Sequence, residues 1–121
     1  MADAVLIAVA ILFGLMGLGA LARPALVLAQ FGVSVDTGPG RTEVRAVYGG
    51  FGLAMAAALV AAVSSSDDLR RGVVIAVAAA LAGMAAGRLA GALAERDRRV
   101  FPTWVYLAIE AAGAAALVAA A

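Results

Sequence analysis

Four long apolar stretches leave this chain few ways to fold. A helix needs about 20 apolar residues to cross roughly 30 Å of hydrocarbon, and no charge interrupts the sequence from Ala4 to Ala22. Comparable runs follow, so spans are expected at about residues 4–30, 43–63, 69–94 and 102–121. The runs are too continuous for transmembrane strands, which alternate over about 10 residues. The expectation is an all-α fold: a single domain forming an integral membrane four-helix bundle.

Local signals set the breaks between spans. Proline lacks the N–H that an interior helical turn needs, so the first helix should be kinked or broken near Pro24. Thr42 reads as the N-cap of the second span, with Glu43 at the positive end of its dipole. Ser64–Asp68 reads as a polar turn, Glu95–Arg99 as a solvated loop, and Pro102 as a helix start. The first run differs from a signal peptide: Met1-Ala2-Asp3 carries no basic residue, and the run exceeds an h-region of about 7–15 residues.

Composition narrows the chemistry. Charged residues make up 14% of the chain, against about a quarter in soluble domains, and mean hydropathy is +1.05. Neither cysteine nor histidine is present. That removes disulfides, thiol redox chemistry and imidazole catalysis, along with the usual zinc and haem ligands. No cofactor or metal site is expected. A net charge of +1 gives no case for nucleic acid. Tyr48-Gly49-Gly50-Phe51-Gly52 has no lysine and lies within a span, unlike a phosphate loop.

Arginine placement suggests orientation. The loops after the first and third spans hold Arg41, Arg45, Arg96, Arg98 and Arg99, with Arg23 nearby, whereas the loop after the second holds Arg70 and Arg71. Both termini are therefore expected outside, in a multi-pass protein of a bacterial inner membrane. The all-arginine, alanine-rich composition fits GC-rich bacterial coding.

Two charges lie deep inside spans. Arg88 is the only charge between Gly72 and Ala94, and Glu110 the only one after Pro102. Ionisable groups in hydrocarbon are costly and need a partner or a task. At about 1.5 Å per residue, Arg88 sits about 9 Å from its span end and Glu110 about 13 Å. If spans three and four form an antiparallel hairpin, the two reach nearly the same level. Glutamate at a span centre costs roughly 2.5–3.5 kcal/mol, and the strongly apolar residues of span four return roughly 2–3.5 kcal/mol. Span four therefore needs a partner for Glu110, or its protonation.

Helical phase adds neighbours. Thr103, Tyr106 and Glu110 share a face, as do Arg45, Tyr48, Gly49 and Gly52. The expected buried polar cluster, structural or ligand-binding, is Arg45, Tyr48, Arg88, Tyr106 and Glu110. Arg23 and Glu43 are peripheral to it, with Arg45 turned inward and Glu43 at the interface. Trp104 fits the interfacial aromatic belt. Gly83, Gly87 and Gly91 form overlapping G-x-x-x-G patterns, and further glycines mark spans one and two. Such residues allow close helix packing, either within the bundle or between copies.

These stretches together resemble a small bacterial membrane family known as a domain of unknown function, number 4345. The resemblance rests on Arg23-Pro24, Glu43-Val44-Arg45-Ala46-Val47-Tyr48-Gly49-Gly50, Gly87-Arg88 and Glu110. It implies a four-helix membrane protein with these polar positions as a characteristic set, and it carries no activity.

The leading functional reading is a structural or accessory bundle that homo-oligomerises or joins other membrane subunits. The alternative is a small transporter or a lipid- or quinone-binding bundle using the Arg/Glu cluster. A membrane enzyme ranks third, given the absence of histidine and cysteine. The lipid bilayer is the expected surrounding partner in each case.

Overall fold

The computed structural model describes residues 1–121. The chain is all-helical: α1 (Ala2–Ala22), α2 (Pro24–Ala29), α3 (Gly38–Val63), α4 (Asp67–Ala94) and α5 (Val100–Ala120). Four of these, α1, α3, α4 and α5, are long and apolar enough to cross a membrane. Large apolar side chains stand exposed along them, among them Ile11, Leu15, Val60, Ile75, Leu93 and Val118. Water would oppose that exposure; hydrocarbon does not. The chain is a multi-pass membrane protein.

Each break has a local cause. A residue before proline is pushed out of the helical region, and Arg23 adopts φ −140°, ψ 72°, which separates α1 from α2. The second span begins five residues earlier than expected. Its N-cap is Thr37, whose Oγ1 accepts the Gly40 N–H at 3.1 Å, and not Thr42. Gly38-Pro39-Gly40 looks like a loop in sequence, but proline suits a first helical turn. Within α3, Arg45–Gly50 forms a π-helical turn.

The polar turn after α3 supplies Ser66, whose Oγ accepts the Leu69 N–H, and Asp67 and Asp68 occupy the first turn of α4. Acids there complement the helix dipole. At the other end of α4, Asp97 N–H bonds Ala92 O and Arg96 N–H bonds Leu93 O, with Arg96 at φ 52°. This is a Schellman cap with arginine in the place glycine usually takes. Phe101 is extended (φ −106°, ψ 136°) within a π-helical turn at Val100–Trp104, and regular α-helical geometry in α5 starts at Val105.

The chain divides into two compact units. One comprises residues 1–6 and 65–121, in which α4 and α5 form a hairpin around buried Val74, Leu81, Ala114 and Leu117. The start of α1 joins it through an ion pair between Asp3 and Arg70 at 2.7 Å. The other comprises residues 7–64, where α1 packs on α3.

Glycines make that second contact. A Cβ on Gly17 would lie 2.8 Å from Gly49 O, and one on Gly52 would lie 2.9 Å from Phe13 O. The two backbones therefore approach too closely for any larger residue. The G-x-x-x-G series of α4 behaves differently: Gly83, Gly87 and Gly91 are exposed, with nothing within 4 Å of an added Cβ. Alanine at Gly17 should lower the midpoint of thermal unfolding in detergent, because backbone must move. Alanine at Gly87 should leave it unchanged or raise it slightly, since alanine favours helix by up to about 1 kcal/mol.

Candidate functional site

The polar site of the first unit grows from the α4–α5 hairpin. Arg88 lies on α4, six residues before its end; Tyr106 and Glu110 lie four apart on α5, on one face. Arg88 Nε donates to Glu110 Oε1 at 2.6 Å. The guanidinium carbon also stands 5.3 Å from the centre of the Tyr106 ring. That ring in turn contacts Phe101, at 6.1 Å between centroids. Glu110 is buried at 5% exposure, while the Arg88 side chain keeps 27%. The acid is thus enclosed, and the base that neutralises it reaches toward the outer surface.

Both contacts are electrostatically attractive. The carboxylate supplies a short charge-assisted hydrogen bond, and the tyrosine ring presents the negative face of its quadrupole. Removing one member of a buried ion pair typically costs about 3–5 kcal/mol, because the other is left uncompensated. The chemistry available is electrostatic; no group of three or more acids is placed to hold a metal ion.

Arg45 and Tyr48 belong to the other unit. Arg45 is exposed and not turned inward: its Nε donates to Leu21 O at 3.0 Å, in the last turn of α1. The cause is the break at Pro24. The non-helical turn at Arg23 ends α1 and leaves the Leu21 carbonyl among its unpaired terminal acceptors, so an arginine from α3 supplies a donor. Tyr48 is half-buried in the π-helical turn, and Arg23 and Glu43 are exposed.

The Glu95–Arg99 loop is solvated, with Glu95, Arg96, Arg98 and Arg99 exposed, and half-buried Asp97 forms a clasp within it. Asp97 Oδ1 accepts the Arg99 backbone N–H at 3.0 Å, and Oδ2 accepts the Thr103 hydroxyl at 2.8 Å. The Asp97 carbonyl accepts the Trp104 indole N–H at 3.0 Å. Thr103 therefore serves the loop, although it shares a helix face with Glu110. Asp97-Arg98-Arg99 carried one usable signal, since an aspartate commonly accepts the N–H two residues on. The reach to Thr103 and Trp104 depends on the turn into α5.

Bonds from the Arg99 backbone and the Thr103 hydroxyl hold the Asp97 carboxyl below the usual carboxylate range. A lowered folded-state pKa gives stability that is present above the unfolded value of about 3.9 and is lost as pH falls through the folded value. Acid titration of unfolding should show this loss. Asp97→Asn should be less stable than the parent at pH 7, and the gap should narrow as pH falls below about 4.

Neither the curated proteins nor the solved structures contain a match to this chain. A family model matches it from residue 1 to residue 121, so the hairpin with its Arg88–Glu110 pair and the arginine-capped α1 fall within one family. The chain belongs to the family described as Domain of unknown function (DUF4345).

Proposed function

We propose that this protein is a structural or accessory membrane bundle that assembles with copies of itself or with other membrane subunits. The observation that carries this reading is the closure of the deep charge pair. Glu110 is buried and directly bonded to Arg88 at 2.6 Å, with Tyr106 against the guanidinium. A transport or proton-coupling site would need its acid accessible, whereas this one is buried and bonded to Arg88.

The open glycine face of α4 supports assembly. Gly83, Gly87 and Gly91 lie four apart on one side, where a further helix could approach closely. With the arginine-rich loops in the cytoplasm, both termini lie outside the inner membrane.

Native mass spectrometry from mild detergent tests the reading. The expected result is an oligomer or a co-purifying membrane subunit, lost in a Gly87→Leu variant that still folds. A parent protein that is monomeric and free of partners in both detergent and lipid nanodiscs would contradict it.

A further inference from the structure

We infer that the arginines around the end of α1 form a binding site for an anionic phospholipid headgroup. Arg45 Nε is fixed on Leu21 O, which places Arg45 at the last turn of α1. Arg23 follows Leu21 by two residues, at the helix break. Arg41 precedes Arg45 by one turn, so the two share a face of α3. Like charges so placed repel each other unless an anion lies between them.

No protein acid answers them. None of the three arginines makes an ion pair: the chain's ion pairs are Asp3–Arg70, Arg88–Glu110 and Asp97–Arg99. Glu43 stands two residues from both Arg41 and Arg45, about 200° around the helix from each. It is exposed and by helical phase lies on a different face from theirs. The carbonyl dipoles at the end of α1 engage Arg45 through Nε, and the fork of its two terminal nitrogens is free for a phosphate. The π-helical turn begins at Arg45, and such distortions are frequent at functional sites.

Position selects a lipid over a free anion. α1 has 21 residues and is about 31 Å long, so its end lies near headgroup level when its start does. In the segment after the break, Leu26 of α2 and Val33 beyond its end are 60% and 48% exposed. Exposed apolar side chains in the segment that follows Arg23 suit a ligand with both a phosphate and acyl chains. Each arginine near an anionic surface contributes about fivefold in affinity.

The full chain in a neutral detergent, titrated with phosphatidylglycerol, phosphatidylcholine or inorganic phosphate, tests this by native mass spectrometry and thermal unfolding. Phosphatidylglycerol should bind and raise the unfolding midpoint at concentrations where the other two do neither. The double variant Arg23→Gln with Arg41→Gln leaves the Arg45–Leu21 bond in place and should lose that affinity by about tenfold or more. Arg23→Lys with Arg41→Lys keeps the charges and should retain most of it, which separates lost binding from lost folding. Equal binding of both lipids would overturn the proposal. So would binding of inorganic phosphate alone, or an undiminished preference in a folded glutamine variant, which would locate the lipid elsewhere.

Discussion

The ion pair between Arg88 and Glu110 makes the α4–α5 hairpin compatible with a membrane. Alone, α5 is close to balanced between water and hydrocarbon, because its one glutamate offsets nearly all that its large apolar residues contribute. A bond of 2.6 Å to Arg88 changes that balance. It also fixes register, since a shift of one turn would move the partners about 5.4 Å apart along the axis. The small core of the hairpin specifies register less sharply: its buried positions include Ala78, Ala92 and Ala114, which interchange with little penalty.

The two units solve one problem by different means. In the hairpin, a polar bond selects the pairing and the packing follows. In residues 7–64, close backbone approach selects it: Gly17, Gly49 and Gly52 allow α3 to lie against α1 at distances that a Cβ would prevent. That approach brings Arg45 to the carbonyl that the break at Pro24 leaves without its usual donor. A proline that interrupts one helix thus determines the task of an arginine more than twenty residues later.

Much of this was legible in sequence, for definite reasons. Length and apolarity specify four spanning helices, and Arg23-Pro24 specifies the break, because both follow from local sterics and solvation. Arg88 and Glu110 stand out because nothing else charged lies near them in the chain. Other features depend on three-dimensional choices that spacing does not encode. Gly38-Pro39-Gly40 could be loop or first turn, and Thr37 decided it by capping. The glycines of α4 have the more regular spacing, yet those of α1 and α3 make the contact. The inward placement of Arg45 failed because phase along α3 says nothing about an unsatisfied carbonyl on α1. The loop is solvated as its charges suggest, but the Asp97 clasp was hidden because its partners Thr103 and Trp104 lie in the next helix.

The central claim is that α5 is held in the membrane by energetic coupling between Arg88 and Glu110. A double-mutant cycle of Arg88→Leu and Glu110→Leu, read as unfolding free energy in detergent, measures that coupling directly. Each single replacement should destabilise by about 3–5 kcal/mol, because it strands the other charge, and the double should fall far short of their sum. Single effects that simply add, to within about 0.5 kcal/mol, would contradict the account.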